Sequence, residues 1–170
     1  AVTYRRSPFT FAGQAHAYSG QTWQADITLP AMKRADAEQW IAFLVSLRGQ
    51  FGTFLLNDPS GTAPRGTATT VNITGSTGDS SVSTTMTGTL LAGDYIQLGS
   101  GLDARLHKVL QDQNGSGTLE IWPALRADQS NVSADLTSAA GVFRLSSNEQ
   151  SWSVNEASVY GITFGAMEAL

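Results

Sequence analysis

From Trp23 to Leu29 the chain alternates strictly, with Trp23, Ala25, Ile27 and Leu29 on one side and Gln24, Asp26 and Thr28 on the other. This pattern predicts a half-buried strand, which Pro30 stops. The period then lengthens. Ala37, Trp40, Ile41, Leu44 and Leu47 recur at spacings of three and four, placing them on one side of a helix. Asp36 and Glu38 fall near its start and Arg48 near its end, as the helix dipole favours, and Gly49 follows as a C-terminal cap. This is the one long helix the pattern predicts. The short apolar run Thr53 to Asn57, closed by Asp58-Pro59, reads as a buried strand ended by a turn.

Beyond that turn the texture changes. Between Ser60 and Leu90, fifteen of 31 residues are Ser or Thr, and Arg65 and Asp79 are the only charges. Val71, Ile73, Val82 and Met86 are spaced through this stretch as strand-forming apolar positions with polar outer faces between them. Further strands are predicted at Asp94 to Leu98 and at Arg105 to Leu110. Another carries Leu119 and Ile121 inward and ends at Pro123, and a fourth spans Gly141 to Leu145. The chain closes with Ser151 to Asn155, Trp152 and Val154 inward, and with Val159 to Met167, which sets Tyr160, Ile162, Phe164 and Ala166 on one face. If the two ends of the chain pair, residues 1–61 and 146–170 form one domain. Residues 62–145 are then an inserted, Ser/Thr-rich, all-β domain. No internal repeat is visible.

Composition narrows the function classes. The chain has 170 residues and no cysteine, which removes disulfides, thiolate metal sites and cysteine nucleophiles together. Charged residues are 14% of the chain, so its polarity is carried by hydroxyls, which cost far less than charges to bury at a protein interface. A net charge of −4 gives no electrostatic pull on nucleic acid. No apolar run approaches the ~20 residues of a membrane-spanning helix, and no hydrophobic signal core follows the opening Ala-Val-Thr-Tyr-Arg-Arg, so synthesis in the cytoplasm is expected.

Candidate chemistry is sparse. His16 and His107 are far apart, and neither sits in a metal-binding cluster; His107 reads as a surface strand residue. Ser, His and Asp are all present, but no Gly-x-Ser-x-Gly elbow occurs. Gly99-Ser100-Gly101 and Gly115-Ser116-Gly117 read as turns. In Asp112 to Ser116 the glycine comes too early for a calcium loop, so a hairpin turn accounts for it better. Asp94, Asp103 and Glu120 are scattered acids on a β-surface. No catalytic, metal or cofactor residue is assigned. Of the four tryptophans, Trp23, Trp40 and Trp152 fall on inward faces, which weighs against a sugar-binding surface. Trp122, beside Pro123 and opposite Leu119 and Ile121, is the candidate interface or ligand contact.

Several stretches resemble minor tail proteins of phages and prophages. They are Thr22-Trp23-Gln24-Ala25-Asp26-Ile27-Thr28-Leu29-Pro30-Ala31-Met32 with Arg34-Ala35-Asp36-Ala37-Glu38-Gln39-Trp40, then Leu47-Arg48-Gly49 and Thr53 to Pro59. Ala92 to Gly99, Arg105 to Val109, Ile121-Trp122-Pro123-Ala124-Leu125-Arg126, and the close from Gly141 to Phe164 resemble them as well, so the likeness covers nearly the whole chain. The family is that of the distal tail proteins of long-tailed bacteriophages. The resemblance implies a split β-barrel with one helix, made by the two chain ends, and an inserted barrel-like β-module. It implies a non-enzymatic virion component that forms a homo-oligomeric, hexameric ring joining the tail tube protein to the tail-tip hub proteins. No catalytic residue comes with it. The alternative is a carbohydrate-binding module that recognises a host-surface glycan at the tail tip.

Overall fold

A computed structural model describes residues 2–17 and 20–170. The fold is mainly β with one α-helix among the described residues. In chain order, β1 (Val2–Arg6), β2 (Gly13–Ala17), β3 (Gln24–Thr28) and β4 (Met32–Lys33) lead into α1 (Arg34–Ser46), and β5 (Thr53–Asn57) follows. Then come β6 (Thr70–Gly75), β7 (Ser81–Thr87), β8 (Thr89–Leu90), β9 (Tyr95–Leu98), β10 (Arg105–Val109), β11 (Gln113–Asn114), β12 (Gly117–Trp122) and β13 (Gln129–Ser133). The chain ends in β14 (Ala140–Leu145), β15 (Trp152–Val154) and β16 (Val159–Glu168).

β16 is the spine of the sheet made by the chain ends. On one side it pairs with β4 through its first residues and with β3 through the rest, Phe164 facing Ile27 and Ala166 facing Ala25. On the other side it pairs with β15 and then β14, and β14 pairs in turn with β5, Phe143 facing Phe54. The sheet curls into a half-barrel. α1 packs into its hollow, where Ala37, Leu44 and Leu47 meet Leu145, Ile162 and Phe164. Side chains alternate because the pleat demands it, so Ile162, Phe164 and Ala166 are buried in line, as their spacing predicts.

Two details of that packing depart from expectation. Ala37 is fully buried, which seats the helix close to the sheet and covers only a narrow stripe. Trp40 falls beside the stripe, 38% exposed and edge-on to Phe43 with ring centroids 6.1 Å apart. Trp152 and Val154 are likewise exposed, at 46% and 51%, because β15 runs past the region that α1 covers. The inward assignment therefore fails for both of these tryptophans.

The middle of the chain forms a second sheet in the order β13-β6-β7-β12-β10-β9, with β8 and β11 paired beside it. It all but closes on itself. Gln97 in β9 exchanges two backbone hydrogen bonds, each 2.9 Å, with Asp135 just beyond β13. Inside lie Val71, Ile73, Val82, Leu90, Ile96, Leu119 and Ile121. Each fully buried aliphatic contributes about 1.5–3 kcal/mol, which is how so hydroxyl-rich a segment holds together. In β7 the rule is plain: Val82, Thr84 and Met86 are buried, while Ser81, Ser83, Thr85 and Thr87 face water. β14 lies inside the insertion on the expected boundary at residue 145, yet it pairs with β5 and β16 of the end sheet.

No element is expected from the pattern before Trp23, but β1 and β2 form a five-rung antiparallel hairpin there, from Val2 opposite Ala17 to Arg6 opposite Gly13.

Candidate functional site

The hairpin projects as an arm. Every residue of β1 is exposed, and β1 and β2 pair only with each other among the described residues. A lone two-stranded ribbon is marginal in water. Its two faces differ. Thr3, Arg5, Gln14 and His16 share one face and line a shallow hollow. The opposite face carries Val2, Tyr4, Arg6 and Ala15, with the Tyr4 ring lying over Gly13. Val2 and Tyr4 are 68% and 65% exposed.

The arm's tip is a structured turn. Ser7 N–H donates to Ala12 O and Phe11 N–H to Ser7 O, at 2.9 and 3.0 Å. Arg6 folds over the Phe11 ring, 4.7 Å from its centroid, and donates from Nε to the Phe11 carbonyl. Phe11 itself stands at φ +57°, a strained conformation that this clasp holds. Phe9 at the apex is 92% exposed. The signal for the arm was the alternation Val2, Tyr4, Arg6 ahead of Ser7-Pro8, too short to register without the register itself.

A trough forms the second feature. The half-barrel does not close: among the described residues β3 pairs only with β16 and β5 only with β14. Between these two free edges lies a cavity of about 440 Å³. All five residues of β3 line it, as expected where a cavity runs along a strand edge, and Leu56 to Pro59 line the other side. Trp23, Tyr95, Leu106 and Phe143 make its walls largely apolar, and Asp26 and Asp58 are its charges.

The third feature is the joint between the two sheets. Trp23 donates from Nε1 to the Leu106 carbonyl at 2.8 Å, and Trp122 meets the Trp23 ring edge-on with centroids 4.5 Å apart. Trp122, the residue singled out from the sequence, is thus half-buried against another tryptophan of the same chain. Beside them Glu168, buried, accepts from Arg126 at 2.9 Å and from the Trp23 N–H at 3.1 Å. Arg126 also donates to the Gln21 carbonyl, while its Nε–H is buried without a partner.

His107 belongs to this joint and not to the surface, since it is 1% exposed. β10 is covered on both faces, which overrides the alternation that predicted exposure. Burial pushes its pKa below the ordinary imidazole value, the nearby Arg126 and Arg105 push the same way, and the Pro123 carbonyl at 2.7 Å and Glu168 only partly compensate. The ring is packed in place and donates from Nδ1 to that carbonyl. Asp94, also buried, holds the loop before β9: it accepts from Leu91 N–H at 2.8 Å and from Arg65 N–H and Nε, both at 3.1 Å. Burial raises its pKa, but those donors and the guanidinium outweigh burial and leave it below the usual carboxylate value. Among the described residues, no group of three or more His, Asp and Glu is placed to hold a metal ion. Within Asp112 to Ser116, Gln113–Asn114 form β11, which pairs with β8, and Gly115, at φ +71°, and Ser116 turn the chain into β12.

No protein-family model matches the chain, and no curated protein matches it.

Proposed function

We propose that the chain is a structural, ring-forming subunit of the tail tip of a long-tailed bacteriophage, a distal tail protein joining the tail tube to the tip complex and carrying no catalytic activity. One observation carries the assembly part of this reading. Among the described residues the molecule presents an exposed hairpin arm that pairs only with itself and a half-barrel whose β3 and β5 each pair on one side, features that a monomer protects and an assembling subunit uses. Exposed Trp40, Val45, Phe51, Leu55, Trp152 and Val154 add apolar surface on the end-sheet side. The phage assignment rests on the sequence resemblance, which spans nearly the whole chain. The tail tube protein, the hub proteins and other copies of the chain are its partners on this reading, and the virion tail tip is its place.

The test is the mass of the purified protein across a wide concentration range, with negative-stain images of the largest species. Closed rings with a central channel are the expected result, and their mass sets the copy number. A monomer at every concentration overturns self-assembly. Host-glycan recognition is the second reading, favoured by the exposure of Trp40 and Trp152, since aromatic faces open to water are what sugar rings stack on.

A further inference from the structure

We propose that the arm of one copy docks in the trough of a second copy, with Phe9 seated in the cavity between β3 and β5 and the arm's strands laid along those free edges. The inference rests on the ring reading and adds to it which surfaces meet.

Chemistry matches the two sides. From residue 2 to residue 25 the chain carries Arg5 and Arg6 and no carboxylate, so the arm is a cationic element on a chain of net charge −4. The cavity is lined by Asp26 and Asp58 and by no Lys, Arg or His. Asp58 accepts from Ser60 N–H and from the Tyr95 hydroxyl, which itself accepts from Lys108 Nζ at 3.1 Å, so Asp58 has a cation nearby, whereas among the described residues no ion pair is formed by Asp26. Opposite charges on the two elements steer them together and penalise arm-to-arm or trough-to-trough contacts.

Shape matches as well. The arm has a phenyl ring at its apex, nine-tenths exposed, and on one face Val2, Tyr4 and Ala15 beside Arg6. The trough has an apolar, aromatic-walled cavity large enough for a ring, flanked by two strands whose outer backbone groups pair with no strand among the described residues. A β-ribbon entering such a gap gains main-chain hydrogen bonds along the edges and buries a side-chain anchor, the usual division of labour in strand addition. Donor and acceptor are different surfaces of the same chain. The contact is therefore head-to-tail, the kind that closes into a ring when the rotation per copy allows it.

The absence of cysteine makes the test clean. Full-length Phe9→Cys and Thr28→Cys proteins are mixed under mild oxidation, and the disulfide-linked species is read by non-reducing electrophoresis and mass spectrometry. Phe9→Asp is compared with wild type for ring assembly, with circular dichroism to verify that it folds, as the exposure of Phe9 ensures. The inference expects a hetero-crosslink between residues 9 and 28, and roughly 30-fold or greater weakening of association in Phe9→Asp, the loss typical of a central anchor. Rings that survive Phe9→Asp unweakened overturn the docking while leaving the ring reading intact. Rings lost in Phe9→Asp without the crosslink overturn the trough as the acceptor. A wild type that neither associates nor crosslinks overturns both, whereas a crosslink without rings supports the docking and removes the ring.

Discussion

Replacing Arg126 by Met at the joint removes its ion pair with Glu168 and its hydrogen bond to the Gln21 carbonyl, and the ion pair sets most of the cost. Glu168 is 7% exposed and has two donors, Arg126 Nη2 at 2.9 Å and the Trp23 amide at 3.1 Å. Met fills the space of the arginine stem but leaves a buried carboxylate with one neutral donor. Removing one partner of a buried ion pair costs about 3–5 kcal/mol. The substitution also deletes the buried, unpartnered Nε–H, whose relief returns about 1 kcal/mol. The net expected loss is then ~2–4 kcal/mol. With a urea m-value of about 2 kcal/mol/M, the unfolding midpoint falls by roughly 1–2 M, read by tryptophan fluorescence and circular dichroism together. The double variant Arg126→Met with Glu168→Gln keeps an acceptor for the Trp23 amide and strands no charge, so it recovers most of that loss. A drop of under about 0.5 M for the single variant, or a double variant no better than the single, refutes the reasoning, because both results mean that the carboxylate reaches water or another cation.

Two predictions concern titration. His107 has its pKa depressed by burial, so the unfolded chain takes up a proton before the folded one does. Its contribution is intact above pH ~6.5 and declines as pH falls from there through the depressed folded value. Urea midpoints measured between pH 8 and 5.5 should show that decline, and His107→Gln should flatten it; an unchanged slope in the variant refutes the assignment. Asp94 has its pKa lowered on balance, so its stabilisation is present above pH ~4 and is lost as pH falls through the folded value. Asp94→Asn turns one accepting oxygen into a donor facing the Leu91 or Arg65 amides and should cost about 1–3 kcal/mol near neutral pH in the same urea assay, mostly through those amides, since Arg65 is 61% exposed at its side chain and the ion pair itself is weak.

Local pattern went far toward the elements of this chain. The alternation through Trp23 to Leu29 and Val159 to Met167, and the spacing from Ala37 to Leu47, each mark an element that a single neighbouring surface buries, and there the period of the chain is the period of burial. The same reasoning placed Val71, Ile73, Val82, Leu119 and Ile121 inside, although the residues around them are mostly hydroxylated. It failed where burial depends on two surfaces or on none. His107 lies in a strand buried on both faces, Leu106 on one and His107 with Val109 on the other, so a polar residue type is enclosed there. Trp40 and Trp152 have the spacing of buried residues but fall past the edge of what α1 and the sheet cover.

The features of the candidate site belong to that second group. Trp122 could be singled out by its place opposite Leu119 and Ile121, but that it would stack on Trp23 depends on how the two sheets meet. Arm and trough both depend on tertiary pairing: among the described residues β1 and β2 pair only with each other, β3 only with β16 and β5 only with β14. Sequence determines which way each side chain points along its own element, because the backbone repeat is local. Whether a neighbour stands there to receive it is fixed only when distant segments pack.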